Sequence, residues 1–360
     1  MYIIEASDSF SSYNIYINNS FKDFFSIFNN YIEPNKKFFI ITDNNIKQLY
    51  DNIIQEFKNR CNVFTYIFSS GEVSKNYNTV SEIYSFLLDN DADKDSIIIA
   101  LGGGVVGDIA GFAASTFMRG IRFINIPTTV ISQVDSSIGG KVGYNFNGVK
   151  NSIGCFYNPE FVYVSVDFLR TLNKELIIDG MGEIIKYGLI NNKSLIDFID
   201  LNYKDIIDIR GDFFFNIIKD CLTIKAEVIS QDFRDKDIRN TLNFGHTVGH
   251  GIEVSSNYNV SHGAAVALGM LTALKLSESK FNLSCEVYKF VESLYKKLGL
   301  PTRHKVDNYA SFLYAIKHDK KNTDEIKFVL LEEVGQCKTK ISVNENELYL
   351  AMENSILIKS

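Results

Sequence analysis

Three of the chain's five histidines fall within seventeen residues, His246 to His262. The first two, His246 and His250 in "NFGHTVGHGIE", are four apart, which puts them on one face of a helix. The third opens "HGAAVALGM" directly after Ser261, a residue type able to cap a helix. Earlier in the chain, "GMGEIIKYG" sets Glu183 and Lys186 three apart, again on one helical face. The glycines around them, Gly180, Gly182 and Gly188, invite close packing against another element. Imidazole nitrogens and a carboxylate oxygen suit zinc, and a catalytic zinc site takes three protein ligands and keeps a position open for substrate. Glu183 with His246 and a second histidine would supply that set. Spacing alone leaves His250 and His262 as alternatives, the i, i+4 pair being the simpler choice.

A second chemistry-bearing segment is "SIIIALGGGVVGDIAGFAAS". An apolar run, Ile97 to Ile99, enters Gly102, Gly103 and Gly104 and continues as a helix of small residues. A glycine backbone can approach a phosphate closely, and a helix N-terminus offers N–H groups to an anion. The spacing is not the GxGxxG fingerprint. Asp108 stands one turn into the helix, where it could bind a ribose hydroxyl or favour the helix N-terminus. Next comes "IPTTVISQVDSSIGGKVGYNFNGVKNSIGCFYNP", dense in turn formers yet carrying Thr128, Thr129, Asp135, Lys141, Lys150 and Asn151. Lysines beside glycines point to anion binding.

The elements that must position these residues change character along the chain. "KKFFIITD", "CNVFTYIF", "DSIIIALGGG" and "RFINIPTT" read as buried parallel strands. Helical patterns alternate with them, as in "NYNTVSEIYSFLLDN" with Val80, Ile83, Phe86 and Leu87 on one face. That rhythm predicts an α/β domain over residues 1–172 with a mostly parallel, Rossmann-like sheet. From Asn173 onward the periods are helical, with "IKFVLLEEV" a late strand signal. Residues 173–360 are therefore expected to form an all-α domain, which holds the histidines.

Composition narrows the classes. The formal charge of −6 leaves no electrostatic footprint for nucleic acid or an anionic membrane surface. The five cysteines are scattered without a CxxC pair, which suggests neither a disulfide framework nor a thiolate zinc site. "MYIIEASDSF" lacks a basic start and an apolar run of signal length, and no apolar run is long enough to span a bilayer. A cytoplasmic location is the expectation.

Taken in order, "GGGVVGD", "SSIGGKVGYNFNGVKN", "GMGEIIKYG" and "NFGHTVGH" closely resemble the 3-dehydroquinate synthase family, a likeness running from "TDNN" to "HDKKN". The resemblance implies conversion of 3-deoxy-D-arabino-heptulosonate 7-phosphate to 3-dehydroquinate and phosphate, a step of the shikimate pathway. In that chemistry NAD is transiently reduced, phosphate is eliminated, the hydride returns, and an intramolecular aldol step closes the ring. The cofactors implied are NAD and a divalent metal, zinc or cobalt. The family's ligands match Glu183, His246 and His262, which leaves His250 to face substrate. NAD would meet Asp43, Glu72, Lys75, Gly104, Val105, Val106, Gly107, Asp108, Thr128, Thr129, Lys141, Lys150, Phe168 and Thr171. Lys141, Asn243, His250 and Lys320 would contact the substrate phosphate, and Lys225 and Arg239 its carboxylate. Asp135, Asn151 and Lys186 would surround the reacting hydroxyls. Arg119 would reach into a neighbouring subunit's site, which implies a homodimer. One position departs from the family pattern: eleven residues before His246 the chain carries Asp235 where the longer glutamate is expected. Rival readings are a sister cyclase of the 2-deoxy-scyllo-inosose or valiolone type, a metal-dependent polyol dehydrogenase, and a catalytically inactive binding homologue.

Overall fold

The run Phe38-Phe39-Ile40-Ile41 shows how the first half of the chain folds. All four residues are fully buried, and they alternate between two apolar clusters. Phe39 and Ile41 join Ile98, Ala100, Val80, Ile83 and Ile109. Phe38 and Ile40 join Ile97, Ile99, Phe24, Phe28 and Phe57. A strand covered on both faces carries no polar alternation.

The computed structural model of the chain describes residues 1–7, 11–209, 212–318 and 326–357. Its strands are β1 (Tyr2–Ser7), β2 (Ser12–Asn18), β3 (Lys37–Asp43), β4 (Asn62–Phe68), β5 (Ile97–Gly102), β6 (Arg122–Pro127), β7 (Lys141–Phe146), β8 (Val149–Phe156), β9 (Phe161–Ser165), β10 (Ile326–Glu333) and β11 (Gln336–Val343). The helices used below are α1 (Gly104–Thr116), α2 (Lys174–Ile190), α3 (Phe213–Gln231), α4 (His246–Ser255) and α5 (His262–Phe281). Among the described residues the main sheet has the order β1-β2-β9-β6-β5-β3-β4. Only β1 and β2 pair antiparallel within it; the other neighbours are parallel. The chain runs outward from β3 to β4, then returns to the other side of β3 with β5. The carboxyl ends of β3 and β5 therefore flank a topological switch point, where open α/β sheets bind ligands.

Two compact units emerge. One comprises Met1–Leu172 and Phe214–Ser230, the other Asn173–Phe213 and Gln231–Ser360. The helix α3, expected in the second domain, thus clusters with the first unit. Its apolar face of Phe214, Ile217, Ile218, Cys221 and Leu222 is buried, and its Lys225 bonds to Asp135. Helical periodicity shows that such a face exists but not which core it joins. The second unit is predominantly helical, as expected, with the antiparallel pair β10 and β11 added. Residues 141–156 belong to the segment dense in turn formers, for which no strand is expected. They form the antiparallel hairpin β7–β8, whose register is read from Lys141 opposite Phe156 and Val142 opposite Cys155. Its turn formers are real but sit at the hairpin tip, where Asn147 and Gly148 both take positive φ.

Candidate active site

In the second unit three helices bring their ligand-type side chains together. Glu183 lies mid-way along α2, His246 begins α4 and His262 begins α5. The approach of α2 to α5 requires glycine. A Cβ on Gly182 would stand 2.3 Å from the Gly263 carbonyl oxygen, and one on Gly263 only 1.7 Å from the Asp179 oxygen. Ser261 occupies the N-cap of α5 but makes no side-chain capping bond, so that sequence-based expectation of its hydroxyl is not met.

His246 Nε2 is 3.3 Å and His262 Nε2 3.1 Å from the same carboxylate oxygen, Glu183 Oε1. Ligand atoms from the three residues all lie within 4.8 Å of one another. Glu183 is fully buried and Lys186 Nζ sits 2.5 Å from its other oxygen. Burial acts to raise the Glu183 pKa, but Lys186 and the two histidines outweigh it and hold the carboxyl well below its ordinary range. Burial also depresses His246, against the pull of Glu183, which favours the neutral ring. For His262 burial is again opposed by carboxylates, Glu183 and Glu253, and these win, lifting the ring to about 10.

The tautomers test whether a metal fits. His246 Nδ1 lies 3.2 Å from the Phe244 carbonyl oxygen, which can only accept, so the neutral ring carries its proton on Nδ1. Its Nε2 lone pair then faces a carboxylate oxygen. Two acceptors aimed at one point repel unless a cation lies between them. The donor set of one carboxylate and two imidazoles therefore fits a divalent ion such as zinc.

His250 shares the α4 face with His246, with ring centroids 5.6 Å apart, and belongs to no three-residue metal cluster among the described residues. Arg239 and Asn243 lie on the 3-10 turn Ile238–Asn243 preceding α4; the buried Arg239 donates through Nη1 to the Phe233 carbonyl oxygen. Lys320 lies outside the described residues. The residue that reading by motif overlooked is Glu253. It is seven after His246, hence on the same helix face, and that spacing was the available signal. Its carboxylate Oε1 stands 3.4 Å from His262 Nδ1.

In the first unit nearly all the expected cofactor segments follow the carboxyl end of a parallel strand. Asp43 ends β3, Glu72 and Lys75 follow β4, Gly104 to Asp108 follow β5, Thr128 and Thr129 follow β6, and Phe168 and Thr171 follow β9. The glycine turn opens α1 with Gly103 at the N-cap, so no side chain satisfies the first N–H groups. Nearby hydroxyls are also unsatisfied: Thr128 Oγ1 and Ser136 Oγ are buried without a hydrogen-bond partner. A Cβ on Gly104 would lie 3.0 Å from that Ser136 oxygen. These donors suit a phosphate-bearing cofactor at the switch point.

Several individual expectations change. The Phe168 ring is buried among Phe21 and Tyr50, so it belongs to the core rather than to a ligand surface. The Val106 side chain is likewise in the core, which leaves its main chain for any ligand. Asp43 Oδ1 accepts from Ile46 N at 2.9 Å, an N-cap on the helix that follows β3. Glu72 is exposed and accepts from Asn145 Nδ2. Thr171 and Lys141 are exposed, Val105 and Lys150 half-buried, and Thr129 bonds to Ser132.

Lys75, buried, donates to Asp108 Oδ2 and Asn151 Oδ1, both at 2.5 Å. Burial raises the Asp108 pKa and Lys75 partly offsets it. Lys225 donates to the Asp135 main-chain oxygen at 2.8 Å and to its carboxylate, on the π-helical turn Ser132–Ser136. Arg119 is exposed and takes φ +67° beside Met118 at +48°, two successive left-handed residues without glycine.

With this geometry in hand, comparison with known proteins decides the family. Residues 65–179 match the family described as 3-dehydroquinate synthase N-terminal, and residues 180–322 its C-terminal counterpart. A 3-dehydroquinate synthase of Clostridium tetani is 52% identical over 345 residues, 96% of this chain and 92% of that protein. The chain belongs to the 3-dehydroquinate synthase family. Solved structures agree on the fold of this family. A 2-deoxy-scyllo-inosose synthase complexed with carbaglucose-6-phosphate, NAD+ and Co2+ superposes with TM-score 0.89 at 24% identity, covering 98% of this chain and all of that one. The 2-epi-5-epi-valiolone synthase of Streptomyces hygroscopicus, with NAD+ and Zn2+ bound, gives 0.84 at 21%, covering 98% of each chain. At these identities the likeness is one of fold. No helix among the described residues is long and apolar enough to cross a membrane.

Proposed function

We propose that this chain converts 3-deoxy-D-arabino-heptulosonate 7-phosphate to 3-dehydroquinate and phosphate, using NAD and one divalent ion, zinc or cobalt. The observation that carries the reading is the convergence of Glu183, His246 and His262 in a chain of this family. When bound, the ion supplies Lewis-acid polarisation of a substrate hydroxyl and NAD a hydride acceptor regenerated within the cycle.

The chain's own residues do the positioning. Lys186 supplies the buried positive charge that keeps Glu183 ionised and able to act as a ligand. His250, next to the cluster and outside it, is the group that binds substrate and moves a proton at its ring nitrogen. Arg239, buried and anchored to the Phe233 carbonyl, offers a planar guanidinium suited to a planar carboxylate, and Asn243 follows on the same turn. Within the first unit, the uncapped start of α1 receives the pyrophosphate of NAD. Lys75, Asp108 and Asn151 brace that site through their own contacts, and Thr128, Thr129, Lys141 and Lys150 add donors around it. Lys225 fixes Asp135 by bonding both its main chain and its carboxylate, which orients the aspartate toward a substrate hydroxyl. Residues 1–172 thus act as the NAD domain and 173–360 as the metal and substrate domain, with α3 packed on the former. Exposed Arg119 serves a partner copy in a homodimer, and the protein works in the cytoplasm.

Stoichiometry tests the reading. Purified protein with catalytic NAD and excess heptulosonate 7-phosphate should release phosphate and dehydroquinate together, with many turnovers per NAD and no net NADH. NADH accumulating in proportion to product would make the chain a polyol dehydrogenase. Phosphate release from glucose 6-phosphate or sedoheptulose 7-phosphate, with silence on the heptulosonate, would make it a sister cyclase.

A further inference from the structure

The two histidines of the cluster are held in different ways. His246 Nδ1 meets a main-chain oxygen two residues away, that of Phe244, at 3.2 Å. His262 Nδ1 meets a side chain, Glu253 Oε1, at 3.4 Å. Glu253 is buried, 4% exposed, whereas the His262 side chain keeps a third of its surface. His262 also stands at the first position of α5, where the helix behind it restrains a side chain least. Of the cluster's two imidazoles, His262 is therefore the one whose orientation depends on another side chain.

We propose that Glu253 is a positioning residue for the metal: by accepting the Nδ1–H of His262 it fixes the tautomer and rotation that aim Nε2 at the Glu183 oxygen. The helix arrangement supports this. His246, His250 and Glu253 occupy one face of α4 at i, i+4 and i+7. The same face thus delivers one ligand directly and orients the ligand of α5. Burying a carboxylate is costly unless it is hydrogen-bonded or paired, and an imidazole N–H is such a partner. Carboxylate–histidine–metal chains of this kind orient the ring and raise ligand basicity.

The inference rests on the proposed metal site, and metal affinity of the full chain tests both. Apo protein is titrated with zinc in competition with a chromophoric chelator, and the cobalt form is followed by its visible spectrum. E253A should weaken zinc binding about 10–100-fold, the loss typical when an outer-shell partner of a ligand is removed. E253Q keeps an acceptor oxygen for Nδ1–H, so its affinity and cobalt spectrum should stay close to those of the unsubstituted chain. Unchanged zinc affinity in E253A overturns the proposal, as does E253Q falling as far as E253A. If E253A fails to fold, E253D carries the test. Its carboxylate is one methylene short of His262, so weakened binding is expected and unchanged binding overturns the assignment. If the unsubstituted chain binds neither zinc nor cobalt, the metal reading itself falls and takes this role with it. Tight binding by the unsubstituted chain with no effect of E253A removes only the role of Glu253.

Discussion

Glycines do opposite work around the two candidate sites, at α1 in the first unit and where α2, α4 and α5 meet in the second. In the second, neighbouring backbone already fills the space a methyl would need: Gly182 and Gly263 face one another's helices, and a Cβ on Gly269 would lie 1.9 Å from the Gly245 oxygen. In the first, the glycines of α1 meet only side chains. A Cβ on Gly107 would stand 3.4 Å from Asn125 Nδ2, an ordinary contact. The charges differ in parallel. Lys75 and Asp108 match one another, whereas Glu183 gathers two imidazoles besides Lys186. The first keeps room at Gly107 beside a matched charge pair, which suits a large ligand bound through main-chain N–H groups. The other packs tightly around one carboxylate that faces two imidazole nitrogens, a donor set that suits a small cation once His262 gives up its proton.

The largest effect expected from breaking this contrast is at Gly263. G263A should cost about 3 kcal/mol or more, the upper end for overpacking, because the obstructing atom is backbone. It should also lose zinc as α2 and α5 separate. G107A should instead leave the apo melting temperature unchanged or higher, since alanine favours a helix interior by about 0.5–1 kcal/mol over glycine. NAD titration should nevertheless show weakened binding. Equal NAD affinity in G107A would remove the assignment of that loop to the cofactor. H250A should retain zinc and lose about 10²–10⁴ in kcat, the range for a positioned proton-transfer or polar group.

Next in size is K75M, which leaves the half-buried Asp108 without its lysine. Breaking a buried pair costs about 3–5 kcal/mol, and uptake of a proton by Asp108, whose pKa burial already raises, should reduce the loss to about 2–3 kcal/mol. Denaturant titration of K75M, D108N and the double variant gives the coupling, and the double variant should recover part of the loss. Additive losses would show that the two side chains do not act as a pair.

The smallest effect is on pH. In metal-free protein His262 is held up at about 10, whereas His246 is depressed below its ordinary value. Zinc must therefore displace a proton from His262 and none from His246 above neutrality. Apparent affinity should rise about tenfold per pH unit from 6.5 upward and level off as pH passes the His262 pKa. Chelator competition between pH 6.5 and 8.5 measures the slope, and a flat profile would contradict the assignment.

Much of this was readable from sequence where a residue type and a period coincide. The apolar run Phe38 to Ile41 announces a strand buried on both faces, and Gly182 beside Glu183 announces a tight helix contact. Residues whose role depends on a distant partner were not readable that way. Phe168 sits among expected cofactor positions, yet its ring completes an aromatic core begun at Phe21. The α3 period fixes an apolar face but not the core it joins. Glu253 needs α5 folded beside α4 before its acceptor role exists. β8 hides in a segment rich in turn formers because nearly all its side chains remain exposed, which removes the alternation that marks a half-buried strand, and β7 buries only Val142 and Tyr144 on either side of a glycine.

The central claim is that Glu183, His246 and His262 of the second unit, and not the matched charges of the first, bind one divalent ion. Metal counting by mass spectrometry after equilibration with zinc and gel filtration tests it directly. The unsubstituted chain, H250A and D108N should each carry one zinc per chain, and E183Q, H246A and H262A none. Zinc retained in H262A and absent from H250A, or lost on substitution of Asp108, would contradict the account.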